Sequence, residues 1–222
     1  MSTSTEDEVR DTVTRIKICG ITNLDDALAA ALYGADALGF ILVPDTPRYI
    51  GDRAPHILER LPPFISTVAV IADLSTAPPP NLAAYDFNAV QYYADRTTSA
   101  STFGARRLVQ AFRIQDSYSL KEIEAAVAQY RPHAILLDAY HPDTLGGAGK
   151  TFNWNLAVEA KERFGLPIIL AGGLTPDNVG DAVRTVRPYA VDVSSGVEAA
   201  PGRKDHACLR AFMQAVRDAD SL

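Results

Sequence analysis

The chain has 222 residues and a formal net charge of −6, from 27 acidic and 21 basic side chains. That length suits one large α/β unit better than two ordinary domains, and the acidic balance argues against general nucleic-acid binding, which needs a basic face to neutralise phosphates. No apolar run approaches the ~20 residues that cross a bilayer, and the two cysteines, Cys19 and Cys208, lack the spacing of a disulfide framework or a zinc site.

Residues 1–14, MSTSTEDEVRDTVT, are polar and acidic. That is the opposite of a secretory signal, so they read as a flexible N-terminal tail ahead of a single domain over 15–222, in a reducing cytoplasm. The first apolar run, Ile16–Cys19, is followed by a helical stretch, Asn23–Tyr33, with Leu24, Ala27, Leu28, Ala31 and Leu32 on one face. The second, Ala37–Leu42, leads through a proline-rich loop into a short helix at Ala54–Leu61. The third and fourth, Ser66–Ile71 and Ala89–Tyr92, precede weakly helical stretches at Leu82–Tyr85 and around Thr98–Ala105. The fifth, Leu108–Arg113, precedes a helix at Ser119–Tyr130 whose Leu120, Ile123, Val127 and Tyr130 share a face. After the sixth, Ala134–Asp138, comes a long glycine-rich loop, AYHPDTLGGAGKTFN, that reads as a lid, and then a helix at Asn155–Phe164. The seventh and eighth, Pro167–Ala171 and Ala190–Ser194, are followed by helices at Asp177–Arg184 and Lys204–Arg217.

Strands alternating with helices imply a parallel sheet. Eight such units in this length point to a closed (β/α)8 TIM barrel. An open doubly wound sheet is the rival, but no G-x-G-x-x-G follows the first strand. The stretches CGITNLDD and GGLTPDNV, after the first and seventh strands, share the pattern of a repeat unit.

In such barrels chemistry sits where strands run into the loops that follow them. Cys19 ends the first strand and Asp138 the sixth. Side chains alternate along a strand, so Lys17, Cys19, Asp138 and Asp192 point inward, and Lys17 and Asp192, on neighbouring strands, are expected to pair. The small residues Gly172, Gly173, Ser194, Ser195 and Gly196 end the last two strands and form a phosphate cradle built on N–H groups and hydroxyls. Arg48, in the loop PRY, is placed to clamp a carboxylate. Cys208 and the histidines read as structural or solvated.

KICGIT, the PRY loop, LLDAY with its glycine-rich loop and FNW, LAGGLTPDNV, VDVSSGVE and PGRKD together resemble the phosphoribosylanthranilate isomerase family of tryptophan biosynthesis. The resemblance runs from about Arg15 to the C-terminus and implies a β/α barrel that needs no metal or cofactor. It implies an Amadori rearrangement of an aminoaldose phosphate carrying anthranilate, in a monomer or homodimer with no nucleic-acid or membrane partner. Carried onto this chain, it implies that Cys19 is the general base and Asp138 the general acid. Arg48 would hold the anthranilate carboxylate, and the glycine and serine turns the ribose phosphate. The chain departs from the family pattern in two places: QYYADR stands for QLHGDE, with Tyr93 in place of histidine, and FNW stands for FDW, with Asn153 in place of aspartate. These departures leave room for a related sugar-phosphate isomerase with a changed substrate. A non-catalytic phosphate-binding barrel is the third reading.

Overall fold

The computed structural model describes residues 13–71, 82, 84–93, 106–139 and 151–221. Eight parallel strands close into a barrel: β1 (Arg15–Cys19), β2 (Ala37–Ile41), β3 (Ser66–Ile71), β4 (Ala89–Tyr93), β5 (Arg107–Ile114), β6 (Ala134–Ala139), β7 (Ile168–Leu170) and β8 (Ala190–Val193). β8 pairs back onto β1, with Lys17 opposite Asp192. The expected strands all form, most within a residue of their expected ends. β7 is assigned only three residues, yet Pro167 still accepts a hydrogen bond from the Ile135 N–H and Ala171 still donates to Leu137. Proline has no N–H to extend the ladder itself.

The helices are α1 (Leu24–Tyr33), α2 (Ala54–Leu58), α3 (Ser119–Tyr130), α4 (Asn155–Phe164), α5 (Val179–Val186) and α6 (His206–Asp220). Their ends follow local chemistry. The Asn23 side chain caps α1 by accepting from the Asp26 N–H, and Gly34, at φ +99°, closes it in the left-handed conformation. α2 is shorter than expected because after it the chain tightens into i→i+3 turns, the Arg60 N–H donating to Ile57 and the Leu61 N–H to Leu58, ahead of Pro62 and Pro63. α5 starts two residues late because Asn178 is used in the turn, accepting from the Thr175 N–H and donating to the Gly173 carbonyl. α6 begins after Asp205, whose carboxylate accepts from the N–H groups of Ala207 and Cys208. A two-stranded hairpin, β9 (Glu198–Ala200) and β10 (Arg203–Lys204), precedes α6 and had no counterpart in the sequence reading.

The strand alternation sorts the core into two layers. Ile16, Ile18, Ile135, Leu137 and Val191 face outward onto the helices and join one large apolar cluster. Each fully buried Ile or Leu there contributes about 1.5–3 kcal/mol. The inner cluster is smaller, and most of its side chains are small: Ala111, Ala134, Ala171 and Ala190, beside Leu136 and Ile169. Small residues inside the barrel leave volume for longer polar side chains above them. Among the described residues no helix is long and apolar enough to cross a membrane. Thr14 is tied to the last helix: its N–H and hydroxyl donate to Asp220 at 2.8 and 2.7 Å. Residues 1–12, the helical stretch around Thr98–Ala105 and most of the glycine-rich loop lie outside the described residues.

Candidate active site

At the carboxyl mouth of the barrel, one cleft encloses about 1100 Å³, counted out into the space open to solvent. Cys19 and Asp138 both line it, as do Arg48, Gly172, Gly173, Ser194, Ser195 and Gly196. Every residue assigned a catalytic or substrate-binding role from the sequence therefore lines this one cleft.

Cys19 sits at the last position of β1, opposite Gly39 on β2. A methyl group at Gly39 would lie 2.9 Å from the Cys19 sulfur and 3.1 Å from the Lys17 ammonium, so the bare backbone makes room for both. Lys17 and Asp192 are paired as expected, Nζ to Oδ1 at 2.8 Å, with only 5% and 8% of their side chains exposed. Burial pushes the thiol of Cys19 above its ordinary value. The Lys17 ammonium pulls it back only in part, because Asp192 acts in the opposite sense. For Lys17 burial opposes the charge, but Asp192 and Cys19 outweigh it and its pKa rises.

Asp138 lies near the end of β6, level with Arg113 on β5. Burial raises its carboxyl above the usual range, and Asp192 adds to this, against the Tyr93 hydrogen bond and the Arg113 charge. The Tyr93 hydroxyl donates to Asp138 Oδ2 at 2.8 Å. The guanidinium of Arg113 lies over the Tyr93 ring, 5.1 Å from its centroid. The sequence reading gave Tyr93 no contact with Asp138.

Arg48 reaches the cleft already engaged. Its Nε donates to Glu198 Oε1 at 2.9 Å and its Nη2 to Oε2 at 2.6 Å. Glu198 in turn accepts from Lys204 Nζ at 2.9 Å, and that ammonium also donates to the carbonyl oxygens of Cys19 and Ser194. Burial raises the Glu198 carboxyl, but Arg48 and Lys204 outweigh it, and the carboxyl ends below the ordinary range. The residues VSSGVE and PGRKD thus join the ends of β1 and β8 through a hairpin. Both stretches were quotable from the sequence, yet Glu198 and Lys204 gave no signal of their own.

Gly172 adopts φ +85° against β6, where a Cβ would run into the Ala139 backbone. In Gly196 a Cβ would meet the Leu174 carbonyl, so the turns after β7 and β8 touch. Among the described residues no hydrogen bond takes up the N–H groups of Gly173, Ser195 or Gly196. The Ser194 hydroxyl is buried without a partner, and so is Gln91 Oε1 on the same cleft. Buried polar atoms of this kind are costly unless a ligand or water meets them. Gln91 was not singled out from the sequence; its inward register between Val70 and Val109 is what places it here.

Other assigned residues lie elsewhere. The Asn153 side chain accepts from the Asn155 N–H at the start of α4 and does not line the cleft. His133 and His206 are exposed, as expected, and each also makes one contact: His133 Nδ1 accepts from the Leu108 N–H, and His206 Nε2 meets Asp26 at 2.9 Å. Among the described residues no group of three or more His, Cys, Asp or Glu side chains is arranged to hold a metal ion.

The sequence profile of the N-(5'phosphoribosyl)anthranilate (PRA) isomerase family matches residues 16–215. N-(5'-phosphoribosyl)anthranilate isomerases from Geobacter metallireducens and Geobacter sulfurreducens are each 50% identical over 202 residues, covering 90% of this chain and 97% of theirs. The crystal structure of phosphoribosyl anthranilate isomerase from Thermotoga maritima superposes with a TM-score of 0.81 at 38% identity, covering 93% of this chain and 100% of that one. A phosphoribosyl anthranilate isomerase in complex with reduced 1-(o-carboxyphenylamino)-1-deoxyribulose 5-phosphate superposes with a TM-score of 0.77 at 36% identity, covering 93% of this chain and 100% of that one.

Proposed function

The chain belongs to the N-(5'-phosphoribosyl)anthranilate isomerase family and carries its isomerase activity in tryptophan biosynthesis, and we propose that Cys19 and Asp138 are the base and acid of that reaction. The observation that carries this assignment is that both side chains line one cleft with the glycine and serine turns. The reaction converts the anthranilate-bearing aminoaldose phosphate to the aminoketose phosphate.

Asp138 gives its proton to the furanose ring oxygen. The bond from that oxygen to C1 breaks, and the nitrogen lone pair forms the Schiff base. A thiolate at Cys19 takes the proton from C2, and the electron pair of that bond generates the enolamine. Loss of the enol proton and protonation at C1 complete the ketone. No electron leaves or enters overall. Each proton transfer by a placed group is worth ~10²–10⁴-fold.

Arg48 holds the anthranilate carboxylate through the part of its guanidinium that Glu198 leaves free. The phosphate rests on the turns Gly172, Gly173, Ser194, Ser195 and Gly196, where free N–H groups and the orphaned Ser194 hydroxyl supply donors without a lysine. Residues 15–222 act as one catalytic barrel behind the tail 1–14, in the cytoplasm, as monomer or homodimer. The test of the reading is the decay of anthranilate-ester fluorescence when purified protein meets freshly made phosphoribosylanthranilate. Turnover that vanishes in Asp138→Asn supports it, and turnover that survives in that variant removes the acid.

A further inference from the structure

Three adjacent strands bring three polar side chains to one side of the mouth: Tyr93 on β4, Arg113 on β5 and Asp138 on β6. Arg113 is level with Asp138 in the ladder, but Tyr93 is level with Ala111, two residues lower on β5. To reach Asp138 the phenol has to cross β5. Ala111 is the side chain it crosses, buried and small, in the inner cluster against which Tyr93 packs. A longer residue there would fill the path of the ring. Above the crossing, Arg113 lies over the ring face, an attraction between a cation and the negative face of the π-system. The ring is thus held from both sides, and its hydroxyl ends 2.8 Å from Oδ2 of Asp138.

We propose that Tyr93 is a positioning residue for Asp138, fixing which carboxyl oxygen carries the transferable proton and supporting the charge left after transfer. This rests on the reading of Asp138 as the acid. A protonated carboxyl has one hydroxyl oxygen and one carbonyl oxygen. A hydroxyl donating to Oδ2 selects that oxygen as the acceptor and leaves Oδ1 to carry the proton. After transfer the same hydrogen bond falls on a carboxylate, and a bond to an ionised acceptor is the stronger one. Donation therefore favours the state after transfer and makes Asp138 the stronger acid. Tyr93 does not itself lose a proton in this scheme: burial and the neighbouring Asp138 hold its phenol well above the ordinary value. The histidine usual at this position in the family pattern also carries a donor, so a donor facing the acid is retained while its chemistry changes.

The experiment is the pH dependence of kcat/KM for the full chain on freshly made substrate. The thiol of Cys19 starts higher than the carboxyl of Asp138 and is itself raised, so the carboxyl titrates first. The product of protonated acid and ionised base then falls away at low pH with the pKa of Asp138. Tyr93→Phe removes the donor and keeps the ring. It is expected to move the acid limb upward by about one pH unit, the effect of one hydrogen bond to a charged group. Tyr93→His is expected to move the limb back toward the wild-type position. A Phe profile that superimposes on the wild type, or a His variant that behaves as Phe does, overturns the proposal. Asp138→Asn separates the two readings. If it is inactive and the Phe profile has not moved, Tyr93 alone loses its role; if it remains active, the acid assignment has failed and the positioning role goes with it.

Discussion

Arg48 and Glu198 meet as a fork across the rim of the cleft, with two hydrogen bonds of 2.9 and 2.6 Å to the two carboxylate oxygens. The Glu198 side chain is only 4% exposed and Lys204 is bonded behind it. The pair therefore fixes the guanidinium before any ligand arrives, through its Nε and Nη2 edge. A second carboxylate has to come to the remaining edge. Such preorganisation removes side-chain ordering from the cost of binding.

Two substitutions separate these roles. Arg48→Lys keeps the charge and loses the planar fork, so KM is expected to rise by roughly 10- to 100-fold with a smaller change in kcat. Glu198→Gln leaves Arg48 its charge but weakens its support, so KM is expected to rise by a smaller factor. Steady-state kinetics on both variants checks the order; an unchanged KM in Arg48→Lys removes the arginine from carboxylate binding.

The alkaline side of the pH profile belongs to the thiol. Burial raises Cys19 above the 9.0 of an unperturbed thiol, so kcat/KM is expected to hold across neutral pH and fall only above about pH 9. The thiolate's ultraviolet absorbance should appear over the same range in the wild type and be missing in Cys19→Ser. Absorbance that develops near neutral pH would show a thiol lowered in the free protein.

The Lys17–Asp192 pair bears on stability. Both partners are buried, and removing one leaves the other charge uncompensated. Asp192→Asn is expected to cost about 3–5 kcal/mol, read by urea unfolding. A double replacement with Met and Leu should recover most of that loss. The raised pKa of Lys17 sets the sign. Its contribution is fully present below the unfolded value of 10.5 and is lost as pH rises through the higher folded value. Wild-type stability should thus fall at strongly alkaline pH, and the double variant should lack that component.

Much of this site was legible in the sequence because strand periodicity is strict. A period of two puts Lys17 and Cys19 on one face whatever surrounds them, and the closure of the barrel makes Lys17 and Asp192 neighbours. The glycines after β7 and the serines after β8 carry their meaning in residue type. What stayed hidden depends on the reach of long side chains. Tyr93 meets Asp138 by crossing an intervening strand, and no spacing encodes that passage. Glu198 engages Arg48 from 150 positions away, through a hairpin with little hydrophobic pattern to announce it. The late start of α6 has the same origin: Lys204, which looked like the first residue of a helix, is drawn into the barrel mouth by three oxygen acceptors.

The most direct measurement is turnover by Cys19→Ser beside its affinity for the reduced product analogue. The serine keeps the shape of the site but is a far weaker base. A fall in kcat of about 10²–10⁴-fold, with analogue affinity within a few-fold of the wild type, is the expected result. Undiminished turnover with intact binding would contradict the pairing of sulfur and carboxyl on which the mechanism stands.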